Sequence, residues 1–574
     1  MVAPTATPQE HRLTDTTLPS LPTLPRPEAA ADRGPLDDRF YDLVERRFRR
    51  VMRDNPTYAT YLGLHDYDAE LGDAGRESVL AELAADRDHL ASVEALDAAG
   101  LSATAGFERE LEIHNVRRAI FDTEELRVWE RRSLALDTVG DGLFLLFARD
   151  HAPLDERLDA IAGRLEAVPT HLEQARSRAT VPQVRLWQRL EIEAAQEMPA
   201  LFDEIVAAGS GVVGDAETRR LGRAAEAAKV AVELYEQWLE GTLADGTDEY
   251  AVGRECHDAL VGLRAFDGLT SDEILELGQE KLAEEHAARA AVAREIDPSA
   301  TEAEVIDRVK ADHPPTFGMA LAAYQEAMRR ARAHLVERDI VTVPADERID
   351  VRETPQYLRN VIPFAAYFSP AVFDPDPKGI YIVTPSVHDD PGAMREHNRA
   401  SISNTSVHEA YPGHHLQLDA ARRYPSLTRI QTDAPEFVEG WGMYSELLMR
   451  EHGFDDDAPF RLMLHTDAIW RACRIILDVR LHRGELTVEQ GVDFLVEQTN
   501  FAGENARSEV QWYTFRPTYP MSYLLGRTLL LELRADEQRR LGDAFSLRDF
   551  HDTLLRNGSL PISFHRRLLA GEGA

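Results

Sequence analysis

Apolar residues recur at three- and four-residue spacing along most of this chain, the mark of amphipathic helices that bury one face. The segment Phe40-Tyr41-Asp42-Leu43-Val44-Glu45-Arg46-Arg47-Phe48 is the first clear instance. The stretch holding Leu186, Trp187 and Leu190 repeats the pattern, as does the Ala- and Glu-rich stretch from Leu221 to Leu239, both with charged, solvated outer faces. No repeat of roughly 20 to 50 residues is visible, which argues against a solenoid. The pattern predicts a mainly α fold with helices packed in an irregular bundle.

One region departs from that rule. Between Tyr367 and Thr384, turn formers (Pro370, Pro375, Pro377, Gly379) precede the β-branched run Ile380-Tyr381-Ile382-Val383-Thr384. This predicts a short strand or hairpin near residues 367–384. An exposed strand edge there would let a peptide add as a further strand, whereas a covering hairpin would have no substrate role.

With 574 residues, 44% of them hydrophobic, the chain can bury a large core. Residues 1–35 carry Pro4, Pro8, Pro19, Pro22, Pro25 and Pro27 and read as a disordered leader. No linker-like stretch follows. Residues 36–570 therefore read as a single large helical domain, with a helical part over about 36–340 and a metal-binding catalytic part over about 341–570. The net charge of −36 excludes nucleic acid and anionic membranes as expected partners. Only four lysines stand against 60 arginines, a bias that a GC-rich genome or a salt-loaded cytoplasm would each produce. Cys256 and Cys473 lie far apart, so neither a disulfide framework nor a thiolate metal cluster is expected. With no signal-peptide pattern and no apolar run near the ~18 residues of a membrane span, the expected compartment is the cytoplasm.

The chemistry is concentrated in Ser406-Val407-His408-Glu409-Ala410-Tyr411-Pro412-Gly413-His414-His415-Leu416-Gln417. In the common zinc helix two His at i and i+4 face one metal, and the Glu after the first His is aimed at water. Here position i+4 is Pro412. On a regular helix His414, at i+6, lies about 120° from His408, and His415, at i+7, shares its face but sits about 10 Å along the axis. A straight helix cannot bring two of these rings to one ion. Pro412 cannot donate to the preceding turn and Gly413 tolerates unusual dihedrals, so a break there would bring His414 to His408. His415 is then a neighbour or a substrate contact.

A third ligand is expected from Glu436-Phe437-Val438-Glu439-Gly440-Trp441-Gly442-Met443-Tyr444-Ser445-Glu446, a helix entered at Pro435. Gly440 and Gly442 each cost a helix about 1 kcal/mol relative to Ala, a loss offset if they allow close approach to the metal helix. Glu439 then faces the imidazoles. Glu446, on the same face, is either an acceptor for a ligand imidazole or a solvated side chain.

The motif His408-Glu409-Ala410-Tyr411-Pro412-Gly413-His414-His415-Leu416 with Glu439-Gly440-Trp441 resembles the signature of the bacterial and archaeal family catalogued as domain of unknown function 885. The resemblance extends through Asn55-Pro56, Tyr61-Leu62-Gly63-Leu64 and Asp66-Tyr67-Asp68, and through Asp478 with His482 and Tyr519 with Tyr523. Around the metal that family is in turn similar to helical oligopeptidases of the thimet type, with Tyr411-Pro412 as an insertion. The similarity selects His414 over His415 and Glu439 over Glu436. It implies a large, two-lobed helical body with a deep central cleft and one Zn2+ per chain. It also implies substrate or oxyanion tyrosines in Arg516-Pro517-Thr518-Tyr519-Pro520-Met521-Ser522-Tyr523-Leu524-Leu525-Gly526-Arg527, with Tyr523 foremost. Tyr519 and Tyr523 read equally well as one packed helix face. Arg516 or Arg527 could pair a peptide carboxylate. Asp478 and His482, at i and i+4, read either as support for the site or as a surface pair.

The expected function is that of a zinc-dependent peptidase acting on short peptides. Glu409 would serve as general base, with Tyr523 and His415 at the oxyanion. A zinc hydrolase of another amide or ester, and a metal-stabilised scaffold without activity, are the alternatives.

Overall fold

The computed structural model describes residues 33–354, 365–385 and 392–573. The Pro-rich leader expected over residues 1–35 lies, except for its last three residues, outside the described residues. The described chain is mainly helical, as its periodicity predicts. Asp37–Asp54 buries Phe40, Leu43, Val44 and Phe48, the apolar stripe of the first amphipathic segment. Leu154–Arg176, Arg185–Gly209 and Asp215–Thr242 pack side by side around Leu158, Leu165, Phe202, Val232 and Leu239. Several helix starts are fixed locally, for example by the capping box in which Thr270 and Glu273 satisfy each other's backbone N–H.

The largest core joins the two parts read from the sequence. It takes Tyr324, Met328 and Leu335 from before residue 340, and Val407, Leu416, Phe437, Trp441 and Leu525 from after it. Helix Ser271–Ile296 lies along Ala458–His482, and Pro435–Glu451 along Ser522–Leu541. These four helices, with Arg399–Glu409, form the frame of the site.

The sheet has three strands, β1 (Ile349–Glu353), β2 (Ala365–Phe368) and β3 (Gly379–Val383), in the order β1-β3-β2. β2 and β3 form the expected antiparallel pair, with Tyr367 opposite Tyr381. The run Ile380 to Val383 differs from the edge strand that the sequence allowed. It is the buried central strand, paired in parallel with β1 on its other side, and the sheet's two edges belong to β1 and β2. Its alternation explains the burial: Tyr381 and Val383 enter the main core, while Ile380 and Ile382 meet Phe144 and Phe368 on the opposite face.

Candidate metal centre

Helix Arg399–Glu409, capped by the Asn398 side chain on Ser401 N at 2.9 Å, carries His408 and Glu409 at its end. The chain then breaks and restarts as the helix His414–Ala421. Gly413 is required here, because a Cβ would lie 1.7 Å from the His408 carbonyl oxygen. The Trp441 indole donates to the Pro412 carbonyl at 2.7 Å, which satisfies a group that the break leaves without a helical partner. Two rings six residues apart are thereby brought together, with centroids 4.7 Å apart and planes at 88°.

Glu439 completes the group. Its Oε2 lies 3.3 Å from His414 Nε2 and 3.9 Å from His408 Nε2. Ligands about 2.0–2.1 Å from one tetrahedral zinc stand about 3.3 Å from each other, so this donor set fits such an ion with little movement. His408 Nδ1 donates to Glu446 at 2.7 Å, which leaves Nε2 facing Glu439 as the nitrogen available to an ion. Tyr519 donates to Glu439 Oε1 at 2.9 Å. Burial alone would lower the His408 pKa, but Glu439, Glu446 and Glu409 outweigh it and push the imidazole up to about 10. Burial would likewise raise Glu439, yet hydrogen bonds and charge from His408 and His414 hold it well below the usual carboxylate range.

The two glycines of the ligand helix have different neighbours. A Cβ on Gly442 would meet the His408 ring at 2.6–2.9 Å, so this glycine makes room for the ligand. Gly440 faces Gly526 instead, where a Cβ would stand 2.6 Å from backbone, and it lets Ser522–Leu541 approach. That contact brings the segment of Tyr519 and Tyr523 to Glu439.

Beside His408, His414 and Glu439 lies a cavity of about 530 Å³ whose wall includes Glu409, Glu446, Tyr519 and Tyr523. Burial, then the Glu439 charge, raises both phenols far above their ordinary range, so each remains a neutral O–H donor.

Other expected residues lie elsewhere. His415 is fully buried and outside the cavity wall, because both ring nitrogens are engaged: Nε2 donates to Glu347 at 2.8 Å and Nδ1 accepts from Tyr367 at 3.0 Å. Tyr367, not His415, reaches the cavity. Asp478 and His482 are a buried pair, not a surface one. Asp478 accepts from His257 Nε2 at 3.0 Å and Thr518 N at 3.1 Å, and His482 donates to the Tyr513 carbonyl at 3.0 Å. They anchor the turn before Tyr519, in which Thr518 has a φ of 67°. Arg516 is exposed and off the cavity, and Arg527 is buried against Glu285. Neither can meet a substrate carboxylate there. The arginines of the wall are Arg471 and Arg474, which share the helix Ala458–His482 with the wall residues Asp467 and Trp470. The sequence signal for them is the polar stripe Asp467, Arg471 and Arg474 at i, i+4 and i+7 of one helix.

A second group of ligand-type side chains, His65, Asp68 and His151, also lies within reach of one point. Its rings stack at 3.9 Å and only 5° apart, so their in-plane lone pairs run parallel and do not converge on an ion. It forms a hydrogen-bonded clasp instead. His65 bridges Asp68 at 2.8 Å and Asp374 at 3.0 Å, and Thr60 donates to Asp68 at 2.6 Å.

Comparison with known proteins finds no curated relative. Two solved structures share the fold. One is a proposed lipoprotein of unknown function from Shewanella oneidensis, with 20% identity, TM-score 0.77, and 92% of this chain and 99% of that chain covered. The other is a proposed lipoprotein from Colwellia psychrerythraea, with 18% identity, TM-score 0.79, and 93% and 98% covered. The family model described as "Bacterial protein of unknown function (DUF885)" matches residues 56–569, and the chain belongs to that family.

Proposed function

We propose that this protein is a zinc-dependent hydrolase that cleaves short peptides. One observation carries the reading: His408 Nε2, His414 Nε2 and a Glu439 oxygen converge beside a cavity whose wall also holds Glu409. His408, His414 and Glu439 would hold the ion. Zinc, when bound, supplies Lewis acidity, which lowers the pKa of water toward ~7 and polarises a carbonyl.

The chain's own residues supply the rest. A Glu409 carboxylate oxygen takes the proton of the attacking water and returns it to the leaving amine. Glu446 accepts the Nδ1 proton of His408 and so fixes the ligand tautomer. Tyr519 holds one Glu439 oxygen and leaves the other toward the imidazoles. Tyr523, a neutral phenol in the wall, is the donor available to a carbonyl oxygen as charge develops on it.

A cavity of about 530 Å³ is in the range of small-ligand sites, which supports short peptides over folded proteins as substrates. It also favours catalysis over a scaffold role, which needs no space beside the ligands. Hydrolysis of a non-peptide amide or ester would use the same groups, and a panel of peptides against small amides separates the two. The deciding variant is Glu409→Gln. It should retain about one zinc per chain and lose about 10²–10⁴-fold in turnover, and undiminished turnover would remove Glu409 from the mechanism.

A further inference from the structure

The cavity wall is divided by charge. Glu409, Glu439 and Glu446 gather at the ligand imidazoles, whereas Arg471 and Arg474 stand on the side built by Ala458–His482. Arg474 is fully engaged: it donates to Glu509 at 2.8 Å and to the Tyr513 hydroxyl at 3.2 Å, and it covers the Tyr523 ring. Arg471 is not. Among the described residues its ion-pair partner is Asp467, at 3.7 Å, beyond hydrogen-bond reach. Its Nη1 donates to the Asp467 carbonyl at 3.4 Å, and its Nε is buried with no hydrogen-bond partner among the described residues.

A buried guanidinium N–H without an acceptor is costly, and native proteins keep few of them. The fork is also fixed in place, since it lies on the Trp470 indole with 3.8 Å to the ring centroid. An ordered, under-satisfied fork in a cavity wall suits a planar anion that it can grip with two parallel hydrogen bonds. Asp467 shares the cavity wall with His408 and Glu446, and Arg471 is one helical turn from Asp467, about 6 Å along the axis. That rise equals about two residues of extended peptide.

We propose that Arg471 is the substrate-recognition group of this cavity and binds a carboxylate of the peptide, its free C-terminus or an acidic side chain, a few residues from the cleaved bond. The inference rests on the hydrolase reading of the same site, but it can fail separately.

The test uses the zinc-loaded full chain and matched short peptides as free acids, as C-terminal amides, and with glutamate exchanged for glutamine. The unmodified protein should lose about 10- to 100-fold in kcat/KM when the recognised carboxylate is removed. Loss on amidation identifies the C-terminus, and loss on the glutamine exchange identifies a side chain. Arg471→Gln should abolish the discrimination by losing only the carboxylate-bearing peptides, and Arg471→Lys should restore part of it. Calorimetric Kd values for the same peptides on Glu409→Gln should show the same ratio without turnover.

Cleavage or binding indifferent to both changes, or an Arg471→Gln variant that loses every peptide alike, overturns the assignment while leaving the hydrolase reading intact. Arg471-dependent binding of carboxylates with no peptide cleaved does the reverse.

Discussion

His408, His414 and Glu439 at the cavity and His65, Asp68 and His151 among the N-terminal helices are each two histidines and a carboxylate, in two arrangements. In the first, the rings stand at 88° and present Nε2 atoms to a shared carboxylate oxygen. In the second they lie 5° from parallel, and the acids are spent as hydrogen-bond acceptors on either side of His65. Ligand chemistry therefore depends on where lone pairs point, which is set by the backbone. The break at Pro412-Gly413 turns one ring against the other, and Gly442 leaves room for His408 to reach its place.

The sharpest way to break this comparison is to delete one histidine from each group. His414→Ala should reduce bound zinc from about one per chain to near zero and abolish activity, whereas His151→Ala should leave zinc content unchanged, as measured by mass spectrometry of metals. A smaller effect is expected one layer out. Gly442→Ala pushes a methyl group into the His408 ring, and Glu446→Gln removes the charged acceptor of its Nδ1 proton. Each should weaken zinc about 10- to 100-fold in competition with a chelator.

The smallest effect concerns the clasp and is a matter of pH. Burial lowers the His65 pKa, but Asp374 and Asp68 outweigh it and raise the imidazole from 6.5 to about 9. Asp68, in turn, is raised by burial but held far below its ordinary range by His151, His65 and Thr60. The charged His65 between two carboxylates thus contributes stability that is complete below pH 6.5 and is lost as pH rises through about 9. The Asp68 contribution is present above the ordinary carboxylate pKa and disappears only in acid. Thermal unfolding should show a loss on the order of 1–2 kcal/mol between pH 6.5 and 9.5, absent in His65→Gln. His408→Gln should leave that loss in place.

Much of this was legible in the sequence because it depends on neighbours along the chain. Helical spacing gave the long helices, and the distance between His408 and His414, with Pro412 between them, required a break. Two glycines after Glu439 marked a close approach, although Gly440 meets Gly526 rather than the metal helix. What escaped is set by distant partners. β1 is five residues, Ile-Asp-Val-Arg-Glu, whose apolar-charged alternation holds for only four, too short to stand out, and it becomes a strand only by pairing with β3. Arg527 and Arg471 look alike in sequence. Glu285, on another helix, neutralises the first, while among the described residues no carboxylate comes within hydrogen-bond distance of the second. His415 shares a motif with His408 and His414 but is held by Glu347 and Tyr367, from segments that sequence alone does not bring near.

On the proposed reading, an ion held by His408, His414 and Glu439 makes this cavity hydrolytic. The direct measurement is digestion of a short-peptide library by the purified chain as isolated, after chelation, and after zinc is restored. The account predicts cleavage, its loss with the metal, and its recovery with about one zinc per chain. An intact library at full zinc occupancy, or cleavage indifferent to chelation, would contradict it.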